Sequence, residues 1–362
     1  IVNKKMPTTG LFKPGVQDHR NLIDWSEAAN DTQSNTDSLP IDMRFNDGHL
    51  LSIFGYSFLM VASTIGNVTV LVLLIRKRLK ASSRIDAMLM HLAIADLLVT
   101  FLLMPLEIAW AYTVQWYGGD LLCRVMSFFR TFGLYLSGFV LVCISLDRYY
   151  AILRPLNFSG IDRRGRVMLL TAWVMSVVCS APQAYIFHVE AHPNATWYHQ
   201  CVTYHSFGNS QTLEVLYSAS TVMFMYGLPL VIIIFCYASI YLEIYRKTKS
   251  TIGVTFRRSS STVLGRAKRR TLRMTITIVI VFVVCWTPYH IMCFWYFMDR
   301  DNAQNVDQRL QKLLYLFACT NSCMNPIVYG IYNIRRKRDR VIVNQLSSLS
   351  KRSEGSTRKS IS

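Results

Sequence analysis

The sequence lacks the signatures of several common catalytic sites. It has no HExxH, no GxSxG and no Walker phosphate-binding loop, which argues against an enzyme of these types. Residues 1–49 also lack an apolar segment of the signal-peptide kind. The first hydrophobic stretch is therefore expected to act as the signal for membrane insertion.

Charged residues are nearly absent from seven long stretches of a chain that is 52% hydrophobic. Only the second and third stretches carry charges within their membrane-crossing parts, and each stretch is long enough to cross a bilayer as a helix. We refer to these stretches as the first to seventh spans. They cover residues 50–75, 87–113, 123–150, 167–189, 215–242, 274–298 and 313–334.

Basic residues are missing from the segment 190–210 and crowd elsewhere. The segments after spans one, three, five and seven hold 5, 4, 10 and 9 Lys and Arg residues, or 28 of the 39 in the chain. The positive-inside rule therefore places the N-terminus outside and the C-terminus inside. Because the formal charge of +18 follows this topology, we expect contact with the lipid bilayer and no nucleic-acid partner.

These patterns predict an all-α membrane protein, a seven-transmembrane helix bundle with three regions. Residues 1–49 form a disordered extracellular tail with a glycosylation sequon at Asn30, and residues 50–334 form the bundle. Residues 335–362 form a short amphipathic helix on the inner surface and a Ser/Thr-rich cytoplasmic tail. Phosphorylation of that tail would recruit a regulatory partner. A second sequon lies at Asn194 in the loop 190–210.

No cysteine precedes Cys123 among the nine in the chain, and most of the others lie in apolar stretches. Only Cys123 and Cys201 are expected near the outer face in loops, where an oxidising environment favours a disulfide. Such a bond would tie the loop 190–210 to the top of the third span.

Polar residues inside the spans mark candidate sites, because they are costly there. Asp96, Ser137, Asn321 and Asn325 lie at similar depth, together with Ser322. Their oxygens would hold either a sodium ion or a hydrogen-bonded polar cluster without an ion. No other cofactor is expected.

Glu107 and Arg130 both lie in the outer half of their spans. They would either pair with each other or line a pocket open to the outside, and we favour the pocket because buried ion pairs rarely add stability. His290, among aromatic residues, is expected to be a core residue. Pro288 and Pro326 lie near Trp286 and Asn325, and are predicted pivots for a moving helix.

Sequence motifs in all seven spans resemble those of rhodopsin-like (class A) G-protein-coupled receptors. The motifs are Gly66-Asn67, Leu92-Ala93-Ile94-Ala95-Asp96, Cys123, Asp147-Arg148-Tyr149, Trp173, Pro229, Tyr237, Cys285-Trp286-Thr287-Pro288 and Asn325-Pro326-Ile327-Val328-Tyr329. The resemblance implies that a heterotrimeric G protein binds an inner cavity. Asp147, Arg148, Tyr149, Tyr237, Trp286, Pro288, Asn325, Pro326 and Tyr329 would form the activation switch. Lys268 stands where some members carry an acid, so Arg148 would pair with Asp147 in the inactive state.

Within that class the chain resembles the gonadotropin-releasing-hormone and adipokinetic-hormone receptor family, most of all its arthropod adipokinetic-hormone branch. The stretches that carry the resemblance are 104–117, 121–123, 145–156 and 294–299. It implies a short peptide hormone blocked at both ends, with calcium or cAMP signalling that controls energy mobilisation. Corazonin-type and gonadotropin-releasing-hormone-like peptides are the alternatives. The expected ligand contacts are Glu107, Trp110, Arg130, Tyr289, Trp295, Tyr296 and Tyr315.

Other receptor and transport classes fit the sequence less well. An amine receptor would need an acid at Arg130, and a retinal pigment would need a Lys deeper in the seventh span than Lys312. A transporter would be expected to show repeated halves or broken helices.

Overall fold

A computed structural model describes residues 43–79, 83–154, 161–192, 195–203, 205–208, 210–251, 261–299 and 306–332. For 161–162, 211, 247–251, 261–268 and 308 only the backbone is described. The sequons at Asn30 and Asn194 and the region 335–362 lie outside these ranges. So does nearly all of the predicted N-terminal tail.

All seven predicted spans are helical over most of their described residues, and six of them are continuous enough and apolar enough to cross a membrane. The helices of spans one to six are Asp47–Arg78, Arg84–Leu98 with Met104–Thr113, Gly119–Leu153, Ile161–Ile186, Gln211–Val222 with Leu228–Thr251, and Ser261–Met298. The seventh span consists of Gln308–Cys319 and residues 321–332.

The seventh span is broken at Thr320. The Thr320 backbone N–H and hydroxyl both donate to the Phe317 carbonyl, at 3.1 and 2.6 Å. These bonds tighten the last turn of the first half, as 3₁₀-type bonds do at many helix ends. The helix resumes at Asn321.

The first span begins at a well-formed cap. The Asn46 side chain accepts hydrogen bonds from the backbone N–H groups of Gly48 and His49 at 2.9 and 3.3 Å. Asp47 lies in the first turn and Arg76, Lys77 and Arg78 lie in the last, so both ends complement the helix dipole. The helix therefore starts three residues before the apolar stretch does.

Two prolines each lie two residues after the end of a local π-helical turn. Val99–Leu103 precedes Pro105 in the second span, and Met223–Gly227 precedes Pro229 in the fifth. A proline ring removes one hydrogen bond and clashes with the carbonyl four residues earlier, and a wider turn relieves both effects. Pro182 and Pro288 lie inside helices that continue past them.

The third span is the centre of the bundle. It packs against the second, fourth, fifth and sixth spans, while the first span closes the ring against the second and seventh. Gly133 lets it approach the second span closely, because a Cβ there would lie 2.9 Å from a Val99 methyl carbon. The third span therefore crosses the whole bundle and has charged residues near both of its ends.

A two-stranded antiparallel hairpin follows the fourth span, where no strand was predicted. Strand β1 is His188–His192 and strand β2 is Ala195–Val202. The helix of the fourth span ends at Ile186, so the predicted stretch to residue 189 was too long. Its last residues belong to β1 instead.

Candidate functional site

The hairpin is fixed over the outer end of the third span. Cys123 and Cys201 form the predicted disulfide, with their Cα atoms 5.6 Å apart, and Cys201 pairs with Val189 in the hairpin. The Asp120 carboxylate accepts a hydrogen bond from the Val189 backbone N–H at 3.1 Å. Burial lowers the pKa of His192 at the end of β1.

Gln200 of β2 joins the hairpin to the second span, a role that the sequence did not indicate. The Trp110 indole N–H donates to Gln200 Oε1 at 2.7 Å, and Gln200 Nε2 donates to the Val114 carbonyl at 2.7 Å. The Trp116 backbone N–H donates to the His199 carbonyl at 2.8 Å. The polar edge of Trp110 is thus bound to the hairpin, and its ring packs against that of Trp116 with centroids 5.3 Å apart.

Glu107 and Arg130 form an ion pair beneath this hairpin. Arg130 Nη2 lies 2.8 Å from Glu107 Oε1, and the two side chains are 22% and 17% exposed. The guanidinium carbon lies 5.3 Å from the ring centre of Tyr315 and 6.0 Å from that of Trp110. The pairing that the sequence left open is present, and Arg130 also lines a cavity, whereas Glu107 is not among the described lining residues.

The cavity that Arg130 reaches lies among spans three to seven and is lined mostly by apolar and aromatic side chains. The lining residues are Arg130, Thr131, Leu134, Gln183, Phe187, Met225, Tyr289 and Tyr315. Three of the expected ligand contacts belong to this set. The described residues of the lining do not include Trp295 or Tyr296, and Trp295 is 43% exposed on the sixth span.

Spans four and five supply lining residues that the sequence did not identify. Gln183 and Phe187 come from the end of the fourth span, and Met225 comes from the π-helical turn of the fifth. Gln183 is buried and donates a hydrogen bond to the Tyr217 hydroxyl. In the sequence, the one indication of this part of the cavity was a glutamine, Gln183, within an apolar helix.

The chemistry of this cavity suits a neutral ligand with several carbonyl groups. Arg130 offers a planar set of N–H donors that cannot be deprotonated, while Tyr289 and Tyr315 offer apolar ring faces. The cavity is small, about 20 Å³, so a ligand larger than a water molecule would have to displace some of the lining side chains.

An aromatic stack lies on the inner side of this cavity. The His290 ring stacks on Tyr226 with centroids 4.4 Å apart and on Trp286 with centroids 5.5 Å apart. The Tyr226 hydroxyl bonds to Thr287 Oγ1 at 2.5 Å. His290 is buried as expected, and the stack links Trp286 to the π-helical turn of the fifth span.

The polar residues in the middle of the bundle meet at Asp96. Asn325 Nδ2 and Ser137 Oγ donate to its two carboxylate oxygens, at 2.8 and 3.3 Å. Asn321 Oδ1 and Asn325 Oδ1 are buried with no hydrogen-bond partner among the described residues. Acceptor oxygens without donors fit a small hard cation, so Asp96, Ser137, Asn321 and Asn325 suit sodium.

No group of three or more His, Cys, Asp or Glu side chains in the described ranges could hold a metal ion. An ion at Asp96 would therefore be held by one carboxylate and by neutral oxygens. Asn67 supports the region from the first span, because its Nδ2 donates to the Ser322 carbonyl at 2.9 Å.

The inner end of the third span carries the expected Asp147–Arg148 ion pair, and both side chains are mostly buried. Asp147 also pairs with Arg84 of the second span, at 2.9 Å, which was not foreseen. Tyr237 of the fifth span is partly buried, and the ring of Tyr149 packs against Phe235 on the same span. The Lys268 side chain is outside the described set.

The inner ends of spans six and seven are joined through Tyr332. Arg270 Nη2 donates to the Tyr332 carbonyl at 2.5 Å, and the Tyr332 and Thr277 hydroxyls bond at 2.9 Å. Tyr329, one turn earlier, is buried. These bonds hold the sixth span close to the seventh at the inner face.

Comparison with known proteins agrees with this architecture. Residues 66–329 match the family described as 7 transmembrane receptor (rhodopsin family). The chain is 36% identical over 279 residues to the gonadotropin-releasing hormone II receptor of Clarias gariepinus, covering 76% of this chain and 73% of that protein. It is 36% identical over 286 residues to the gonadotropin-releasing hormone receptor of Bos mutus grunniens, covering 76% and 87%.

This family is one of receptors rather than enzymes, and its members are multi-pass proteins of the plasma membrane. The seven helical spans, the Cys123–Cys201 disulfide and the inner Asp147–Arg148 pair all fit it. The chain therefore belongs to the rhodopsin family of seven-transmembrane receptors, and within that family it is related to the gonadotropin-releasing hormone receptors.

Proposed function

We propose that this protein is a receptor for a short neuropeptide of the adipokinetic hormone type, blocked at both ends. It would activate heterotrimeric G proteins, with calcium or cAMP signalling that controls energy mobilisation. The observation that carries the proposal is the Arg130 guanidinium, which reaches an aromatic cavity under a hairpin held by a disulfide. A blocked peptide has no terminal charges and many carbonyl acceptors, which matches this cavity.

In the bound state the Arg130 guanidinium donates to peptide carbonyls. Tyr289 and Tyr315 bury the apolar side chains of the peptide, and Glu107 and Trp110 hold Arg130 in place. Trp295 and Tyr296 lie further out on the sixth span, so they would contact the peptide only nearer the outer surface.

The agonist acts by favouring one arrangement of the bundle over another. Tyr289 lies next to Pro288 and Trp286 on the sixth span, so contacts on Tyr289 act directly at the predicted pivot. When the sixth span moves, Arg148 leaves Asp147. Tyr237 and Tyr329 then line the inner cavity where the G protein binds, next to Asn325 and Pro326.

A gonadotropin-releasing-hormone-like peptide is the second candidate, because the curated relatives carry that name. A corazonin-type peptide is the third. The tail beyond residue 334 would bind arrestin after phosphorylation by a receptor kinase, and sodium at Asp96 would stabilise the unliganded arrangement.

A screen of the three peptide classes tests the proposal. Cells that express the receptor would receive each peptide over a range of concentrations, with calcium and cAMP recorded separately. We expect the adipokinetic-type peptide to act at the lowest concentration, with no response in untransfected cells. A lower effective concentration for either other class would reassign the ligand, and silence with all three at normal surface expression would refute a peptide ligand of this kind.

A further inference from the structure

The carboxylate of Asp147 is shared by two guanidinium groups from different spans. Arg148 contacts Oδ2, and Arg84 Nη1 lies 2.9 Å from Oδ1. The Asp147 side chain is fully buried, with 0% of its surface exposed. The expected switch involves Arg148 alone, so the second cation requires its own explanation.

Arg84 reaches Asp147 from a fixed position. It is the first residue of the second-span helix, which packs against the third span along its length. Its side chain is 33% exposed, so one side faces the inner surface and the other faces Asp147. The neighbouring basic residue Lys77 is occupied elsewhere, since it pairs with Asp86 at 2.6 Å.

A buried carboxylate needs a cation or donors, because removing one partner of a buried pair leaves an uncompensated charge. If Arg148 were the only partner of Asp147, the departure of Arg148 would leave the buried negative charge of Asp147 without a partner. Arg84 remains bound through the other carboxylate oxygen when Arg148 leaves. The two arginines use different oxygens, so neither has to move for the other to bind.

We propose that Arg84 is a positioning residue of the switch, which keeps the Asp147 charge neutralised while Arg148 leaves to meet the G protein. The inference rests on the proposed function only in taking release of Arg148 as the activating step. Arg84 lowers the cost of activation, so its loss holds the receptor in the unactivated arrangement. This is the opposite of what loss of a restraining contact would do.

The test compares five variants by signal per receptor at the cell surface. Arg84→Ala removes the second cation, and Arg84→Lys retains a charge. Asp147→Asn removes the carboxylate, and the double variant removes both. Arg164→Ala is the matched control, because this arginine lies over the Tyr150 ring at 4.6 Å and is not one of the two arginines that pair with Asp147.

We expect Arg84→Ala to lower basal signalling and to raise the effective peptide concentration by about tenfold or more, the factor that 1.4 kcal/mol represents. Peptide binding should change less than signalling does. Arg84→Lys and Arg164→Ala should resemble the unmodified receptor. Asp147→Asn should raise basal signalling, and the double variant should match it, because no buried charge is left to neutralise.

Three results would overturn the inference. Arg84→Ala could raise basal signalling or leave it unchanged, which makes Arg84 a restraint or a bystander. The double variant could remain as weak as Arg84→Ala, which would mean that Arg84 contacts the G protein itself. Asp147→Asn could leave basal signalling unchanged, which removes the restraint on which Arg84 acts. The basal comparisons need no peptide, so they decide the inference even if every peptide class proves inactive.

Discussion

Replacing Arg130 by alanine would remove the only charged side chain among the described residues that line the cavity. A hydrogen bond that involves a charged group contributes about 1.5–3 kcal/mol. At 1.4 kcal/mol for each factor of ten, loss of one such bond to the peptide weakens binding by roughly ten- to a hundredfold. The Glu107 carboxylate, only 17% exposed, would also lose its cation, so some of the measured loss would come from reorganisation of the free receptor.

Two companion variants separate these effects. Arg130→Lys keeps a positive charge near Glu107 but loses the planar set of donors. Its affinity for the peptide should therefore lie between that of the unmodified receptor and that of Arg130→Ala. The double variant Arg130→Ala with Glu107→Gln removes the stranded carboxylate. This double variant should reach the cell surface at least as well as Arg130→Ala does, while its affinity for the peptide should stay as low.

The assay is competition binding of a labelled adipokinetic-type peptide on cell membranes, normalised to receptor at the cell surface. Unchanged affinity for Arg130→Ala at normal surface expression would refute a direct contact. Full recovery of affinity in the double variant would show that Arg130 serves only to neutralise Glu107. The ion pair would then be purely structural.

Three further changes test other parts of the molecule. Cys201→Ser should abolish peptide binding and reduce surface expression, measured by flow cytometry, because loss of a native disulfide typically costs about 2–5 kcal/mol. Exchanging sodium for choline should raise peptide affinity about fivefold in the unmodified receptor and not in Asp96→Asn, measured by competition binding. Arg270→Ala should raise basal signalling about fivefold, because the lost bond to the Tyr332 carbonyl contributes about 1 kcal/mol to holding the sixth span. Unchanged surface expression, equal sodium sensitivity or an unchanged basal signal would contradict the respective expectation.

The sequence predicts how deep each residue lies in the membrane and which charge it carries. It therefore also predicts the features that depend on depth and charge. The seven spans and the Cys123–Cys201 disulfide follow from hydropathy and redox environment, and the Asp147–Arg148 pair was implied by the resemblance to class A receptors. The Glu107–Arg130 pair was one of two arrangements that the sequence predicted. Similar depth on neighbouring spans allows the two side chains to make contact but does not require it.

The sequence does not predict features that depend on how each helix is rotated about its axis or on how the hairpin strands pair. Arg84 and Asp147 are far apart in the sequence, and their contact depends on how the second and third spans face each other. Gln200 meets Trp110 only because the hairpin has a particular register, in which Gln200 pairs with Glu190. The break at Thr320 comes from local hydrogen bonds that the seventh apolar stretch does not reveal.

The cavity wall from spans four and five was also missed, because apolar side chains at this depth are as suited to lipid as to a pocket. Phe187 lines the cavity, whereas Phe224 of the fifth span is 40% exposed on the outside of the bundle. Both are phenylalanines in apolar segments, and only the packing of the bundle distinguishes them.

That contrast supports the most direct test of a peptide in this cavity. A photoreactive amino acid would replace either Phe187 or Phe224, and a labelled adipokinetic-type peptide would be irradiated on the receptor. Cross-linking is expected at position 187, with unlabelled peptide suppressing it, and none is expected at position 224. Equal cross-linking at both positions, or none at 187 while the peptide still signals, would contradict binding beneath the hairpin.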